Sequence, residues 1–248
     1  MNNKKIPLIS IITPCFNSEK FIKETILSVV NQTYGNIEHI IIDDGSTDSS
    51  RLVVNSFNNN IKLIETDNKG ACHARNMGIK HSKGEYIMFL DSDDIISNNS
   101  ILSLYNAIKD KKNTIAISNW KRLILKDNNW VAINSMQNLK PPNEDFIIGW
   151  LSGWFYPPAA ILWEKKIFSE IGYWDETLSA NQDGDLMLRA LIKKYSLVFT
   201  DSGEAYYRYQ GINKSISTNI NNKKMFISRK MVLDKFYRQI DDSENKEK

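Results

Sequence analysis

Residues 86–94 read Tyr-Ile-Met-Phe-Leu-Asp-Ser-Asp-Asp, an apolar stretch followed at once by three carboxylates in four positions. Like charges so close repel, and strand formation does not require them. In an extended chain residues i and i+2 face the same side. Asp91 and Asp93 so placed make a small hard-oxygen site suited to Mn2+ or Mg2+. The glycine and later glutamate of an EF-hand loop are missing, which argues against a calcium cage. An ion held by one or two carboxylates keeps open positions that phosphate oxygens can fill. The competing reading is a solvated acidic turn with Asp94 or Ser97 capping the next helix, and the Asp-x-Asp pattern alone does not decide between them.

Three other stretches carry chemistry. In Asp43-Asp44-Gly45-Ser46 an acid at a strand end can accept hydrogen bonds from a nucleobase or ribose, although Asp-Gly and Ser-Thr-Asp are also ordinary turn residues. In GACHARNMG (70–78), Gly70 permits close approach of a ligand. Arg75 can pair with phosphate or stack on a base, or it can be a surface arginine. No G-x-G-x-x-G follows the first apolar run, so the usual dinucleotide site is unsupported. In NQDGDLMLRALI (181–192) Asn181 can cap a helix whose first turn holds Asp183 and Asp185. Those acids either favour the positive end of the helix dipole, or Asp183 is a general base facing a cleft. His39, His73 and His81 show no metal-ligand spacing. Trp150, Trp154 and Trp163, with Tyr156, Pro157 and Pro158, read as core or as an acceptor wall.

The elements that must position these residues alternate. Short apolar runs at 8–12, 38–42, 61–64 and 86–90 read as strands. Helical patterns lie between them: one capped by Asn17 with Ile22, Ile26, Val29 and Val30 on a face, one capped within Ser46–Ser49, and one over 71–81. This order predicts an α/β fold of parallel βαβ units with helices on both faces of the sheet. Ligands of such sheets bind beyond the carboxyl ends of the strands, where Asp43, Asp91 and Asp93 all fall. The second half is less regular. A helix over 98–109, a strand over 114–118, a hairpin over 123–133 turning at Lys126-Asp127-Asn128-Asn129 and a helix over 182–194 are expected. An amphipathic helix over about 222–239 and a disordered tail over the last eight residues, DDSENKEK, complete the chain.

The chain of 248 residues is 42% hydrophobic and 25% charged, enough for one large core. A net charge of +3 marks no nucleic-acid binder. The basic excess is local: Lys214, Lys223, Lys224, Arg229, Lys230, Lys235 and Arg238 face Asp234 alone between 214 and 238. The C-terminal helix therefore either packs on the domain with solvated lysines or makes a peripheral contact with the membrane. Cys15 and Cys72 read as free thiols of a reducing compartment. Lys4 and Lys5 precede an apolar stretch broken by Pro7, Ser10 and Thr13, a poor signal peptide. No segment approaches the roughly 20 apolar residues of a membrane span. A cytoplasmic location, with possible contact at the inner face of the cell membrane, is expected.

Taken in order, TPCFN (13–17), IIDDGSTD (41–48), TDNKGACHARNMGI (66–79), FLDSDD (89–94) and QDGDLMLR (182–189) resemble the family 2 glycosyltransferases of the GT-A fold, notably bacterial enzymes that build surface polysaccharides. The resemblance covers about residues 6–212. It implies a Rossmann-like, mostly parallel sheet, with a nucleotide-binding half over about 6–118 and an acceptor and catalytic half over about 119–212; the basic amphipathic helix and tail over 213–248 lie beyond it as a C-terminal helical extension.

The resemblance also implies roles. Pro14, Asp43 and Arg75 would line the nucleotide pocket, with Asp43 meeting the base. Asp91 would touch the ribose, and Asp93 would bind the Mn2+ or Mg2+ that bridges the donor's diphosphate. Asp183 matches the catalytic base. The implied partners are a nucleotide-sugar donor, foremost a UDP-sugar, and a glycan or lipid-linked acceptor. Two departures stand out. Gln182 replaces the family's usual Glu, and the stretch YYRYQGINKSIS (206–217) lacks a usual His, leaving Arg208, Gln210 or Lys214 to meet the diphosphate. Trp154 is a candidate acceptor contact. The QxxRW signature of processive synthases is absent, so one sugar per encounter is expected, and the resemblance implies direct displacement with inversion. A catalytically inactive scaffold of a polysaccharide assembly complex is the alternative. A nucleotidyltransferase would need a Gly-rich basic loop where TPCFNSEKF stands.

Overall fold

The computed structural model describes residues 6–57, 61–134, 141, 144–211 and 223–246. Four short strands lie parallel in the order β3-β2-β1-β4: β1 (Ile9–Cys15), β2 (Ile37–Asp43), β3 (Ile61–Glu65) and β4 (Tyr86–Phe89). Helices α1 (Ile22–Val30), α2 (Ser50–Asn55) and α3 (Ala71–His81) connect them. Successive strand side chains point to opposite faces. Ile41 accordingly packs with Ile22, Ile26 and Val54 of α1 and α2, while Ile40 and Ile42 pack with Ala74 and Met77 of α3. Both faces are covered, so these strands read as unbroken apolar runs. α3 sits hard against β1, since a Cβ on Gly78 would lie 2.2 Å from Ile12 Cγ2.

Beyond β4 the sheet becomes mixed. β5 (Ile95–Ile96), α4 (Ser100–Ile108), β6 (Thr114–Lys126), β7 (Asn129–Asn134), α5 (Phe146–Leu151), β8 (Ile161–Glu164), α6 (Ile167–Ile171), α7 (Gln182–Ile192), β9 (Ser196–Tyr209) and α8 (Lys223–Lys246) follow. The sheet continues β4-β8-β6-β9-β5, with β7 paired to β6. β8 runs antiparallel to both β4 and β6, and β9 runs parallel to β6. The parallel character expected from the sequence thus belongs to the first four strands and to the β6–β9 pair.

Several local expectations change. The strand at 114–118 and the first arm of the hairpin are one strand, β6, whose register against β9 shifts between Ser118 and Asn119. The polar run Asn119-Trp120-Lys121-Arg122 hides this continuity, yet Trp120 is fully buried and Lys121 pairs with Glu204 on β9. The hairpin turn is as expected: Asp127 and Asn128 both adopt left-handed backbone (φ 49° and 63°), the two-residue turn that Asn and Asp tolerate best. The Trp- and Pro-rich stretch supplies α5 and the central strand β8, and Trp150, Trp154 and Trp163 are core. Asn17 does not cap α1. The helix starts beyond Phe21, and Asn17 Oδ1 instead accepts from the Thr47 N–H at 2.8 Å, tying two loops together. Asn181 stands at the N-cap of α7 in left-handed conformation and makes no side-chain cap bond. α8 continues to Lys246, through most of the expected tail, and its Ser228 bonds to Ala180, just before α7.

Candidate active site

The carboxyl ends of β1, β2 and β4 meet at one edge. Cys15 is level with Asp43 in the β1–β2 register, and Asp91 lies two residues beyond the end of β4. The acids after β4 do not extend the strand. The Asp94 N–H donates to Asp91 O at 3.0 Å, so residues 91–94 form a tight turn. Thr25 of α1 holds it from below by donating to Ser92 O and Asp94 O at 2.9 and 2.8 Å. The turn sends its three carboxylates to three partners, where a pleated strand would have aligned the first two.

Asp91 Oδ1 receives Arg75 Nη2 at 2.6 Å. Asp93 Oδ2 receives Gln210 Nε2 at 2.8 Å. Asp94 Oδ1 receives the Arg208 backbone N–H at 2.8 Å, while its Oδ2 is buried without a partner. Asp94 is therefore neither a solvated turn residue nor a helix cap; it locks the acidic turn to β9. Burial, then the charges of Asp93 and Asp91, push its carboxyl well above the usual range. Burial and the neighbouring Asp91 push Asp93 up as well.

Arg75, on α3, is 6% exposed. Besides Asp91 it reaches Gln182 Oε1 with Nη1 at 3.2 Å, and its guanidinium stacks 4.5 Å from the Trp174 ring centroid. Trp174 is fixed in turn by Asn76, whose side chain bonds to its backbone N–H and C=O at 3.0 and 2.9 Å. Arg75 thus joins the end of β4 to the start of α7. Asp183, next to Gln182, is half-buried; burial pushes its pKa up against the opposing effect of Arg75 and the helix N–H groups. Its basicity is raised, where a helix N-terminus alone would have lowered it.

Asp43 is 1% exposed; its Oδ1 accepts from the Ser46 N–H at 3.0 Å and its Oδ2 is buried without a partner. Pro14, half-buried, is level with Ile42 on the neighbouring strand. Asp44 accepts from the Lys69 and Gly70 N–H groups at 2.9 and 2.7 Å and from Thr66 Oγ1 at 3.2 Å. Gly45, at φ 80°, is favoured there by its left-handed backbone, and a Cβ would crowd Asn68 N at 3.0 Å.

Arg208 is not free to meet a diphosphate. It is 2% exposed, donates to Asp93 O and Glu24 Oε2 at 2.6 Å each, and packs against the Phe21 and Trp130 rings, which touch each other edge to face. Trp154 is packed among Phe146, Trp150 and Tyr156 and forms no open wall. Lys214 lies outside the described residues. Arg189 pins Asp185 and the carbonyls of Ile171 and Tyr173. Trp174, Asn76, Glu24 and Trp130 were not singled out from the sequence, because each acts across a long sequence gap that no spacing rule encodes.

The donor set suits a hard divalent cation. Asp93 and Asp91 offer carboxylates whose mutual repulsion a cation would relieve. Among the described residues no three His, Cys, Asp or Glu converge, so a cation here would rest on one or two carboxylates and take its remaining ligands from a bound phosphate or water.

Parallel strands ending in acids at one edge, continued by a mixed half that adds an acid at a helix start, form the GT-A fold. The chain belongs to glycosyl transferase family 2, whose sequence model matches residues 10–172. It is 34% identical over 183 residues to the glycosyltransferase GlyG of Streptococcus pneumoniae, covering 67% of this chain and 60% of that protein. It is 34% identical over 221 residues to the minor teichoic acid biosynthesis protein GgaA of Bacillus subtilis, covering 81% of this chain and 47% of the relative. The structure of S. aureus TarS 1–349 in complex with UDP-GlcNAc superposes with a TM-score of 0.68 at 22% identity, over 82% of this chain and 59% of that one. This chain spans only about half of such relatives, between 47% and 60% of their length.

Proposed function

We propose that the protein is an inverting, non-processive, metal-dependent glycosyltransferase. It moves a sugar from a nucleoside diphosphate donor, foremost a UDP-sugar, to a hydroxyl of a glycan or lipid-linked acceptor in surface polysaccharide synthesis, in the cytoplasm at the inner face of the membrane. The observation that carries this reading is the half-buried Asp183, with raised basicity, joined through Gln182 and Arg75 to Asp91 at the end of β4. The UDP-GlcNAc complex of TarS and the teichoic acid role in the name of GgaA support the donor and acceptor classes.

The buried Oδ2 of Asp43 is an unmet acceptor for a base N–H. Asp91, held by Arg75, can receive a ribose hydroxyl on its free oxygen. Asp93 would hold Mn2+ or Mg2+, which would stabilise charge on the departing diphosphate as a Lewis acid. Asp183 accepts the proton of the acceptor hydroxyl as that oxygen attacks the anomeric carbon and the C–O bond to the diphosphate breaks. Attack opposite the leaving group inverts the anomeric centre. Gln182 keeps the bond to Arg75 with a neutral amide oxygen, so the loss of the usual Glu leaves this link in place.

Turnover of a panel of UDP-sugars with Mn2+, by wild type and Asp183→Asn, tests the reading. Donor hydrolysis or transfer by wild type, absent from the variant, is expected. Donor binding without turnover would instead favour the scaffold.

A further inference from the structure

We propose that the outward face of α8 docks on an anionic lipid surface. The inward face is occupied: Ser228 and Val232 are buried, and Lys235 pairs with Asp175 and Asp185. On the other side Phe226, Leu233 and Tyr237 recur at i, i+7 and i+11, one line along an α-helix. They are 74%, 51% and 75% exposed, and Ile227 beside them is 47% exposed. Lys223, Arg229, Lys230 and Arg238 are exposed among them, with Asp234 the one exposed acid over 223–238.

The mixture identifies the occupant. Four large apolar side chains in water are unfavourable and call for a cover. A purely apolar partner surface would leave the interleaved cations without counter-charge. A bilayer bearing anionic headgroups accepts both: apolar side chains enter the headgroup–acyl boundary, Tyr237 suits the interface, and the bases meet phosphate. Among the described residues no helix is long and apolar enough to cross a membrane, so this contact is peripheral. Because Lys235 ties α8 to Asp175, adjacent to Trp174 beneath Arg75, docking would hold the candidate site at a fixed place relative to the lipid. The inference rests on α8 and not on the reaction proposed above.

Co-sedimentation of the full chain with phosphatidylcholine vesicles, with and without phosphatidylserine, tests it. Binding is expected only with phosphatidylserine, weakening as salt is added. Phe226→Ser/Leu233→Ser and Arg229→Glu/Lys230→Glu should each lower it by roughly tenfold or more, without a change in thermal midpoint. Lys111→Glu/Lys112→Glu, an equal charge change at exposed sites elsewhere, should have little effect. Absence of phosphatidylserine binding, or equal loss in the 111/112 variant, overturns the proposal. A lipid-free dimer that the Phe226/Leu233 variant abolishes would also overturn it, giving the face to a second copy of the chain.

Discussion

Arg75 Nη2 lies 2.6 Å from Asp91 Oδ1 in a pair that is almost closed to solvent on the arginine side. The same guanidinium reaches Gln182, so one residue of α3 sets the distance between the acidic turn and α7. Lysine would keep the charge but lose the planar fork and the stacking on Trp174. Arg75→Lys is therefore expected to fold with a lowered thermal midpoint and, assayed well below that midpoint, to lose on the order of 10²-fold in kcat/KM. Wild-type kinetics in that variant would show that the bridge does not align the site.

Asp183 should govern the acid limb of the rate. Its carboxyl is pushed above the ordinary range, and a base must be deprotonated to act. The rate is thus expected to fall as pH drops through a value higher than that of a free aspartate. Asp183→Asn should lower kcat by ~10²- to 10⁴-fold and leave donor affinity near wild type, measured by calorimetry with Mn2+ present.

Asp93→Ala should weaken binding of the nucleoside diphosphate only when Mn2+ or Mg2+ is supplied. Titration in EDTA is the control; an equal loss there would assign Asp93 a purely structural part.

His39 offers a test remote from the site. It is buried, bonded to Thr13 Oγ1 at 2.9 Å, and burial pushes its imidazole down to about 3. The unfolded chain binds the proton nearer pH 6.5. Stability from a neutral His39 is therefore complete above about pH 6.5 and is lost as pH falls toward 3, at roughly 1.4 kcal/mol per pH unit. The raised acids Asp93, Asp94 and Asp183 act in the opposite sense, so the quantity to measure is the difference in urea denaturation between wild type and His39→Gln at pH 7 and pH 5. The wild type should lose more.

Much of the first hundred residues was legible because each strand carries a local signal, an apolar run that ends in an acid or a turn. Asp43 and Asp91 could be placed at a common edge from that alone. The second half resists the same reading. β8 is a buried strand inside a Trp-rich stretch with no period, and β6 passes through a polar run whose burial depends on β9, roughly 80 residues later. The partners of the candidate residues follow the same rule. That Arg208 clamps Asp93 O rather than facing solvent depends on Phe21 and Glu24 at the start of α1 and on Trp130 of β7, two elements distant from β9 in sequence. The carboxylate of Asp94 looked like local turn chemistry and is instead a long-range tether.

Asp44 has a thermodynamic consequence. Its two oxygens gather three donors from 66–70 and fasten the loop after β2 to the start of α3 before any ligand arrives. The walls around Asp43 need not be ordered by the nucleotide, so little conformational entropy is lost there on binding. Affinity for a nucleotide at this edge would then report its own contacts almost undiminished, and even a fragment as small as the free nucleoside should register.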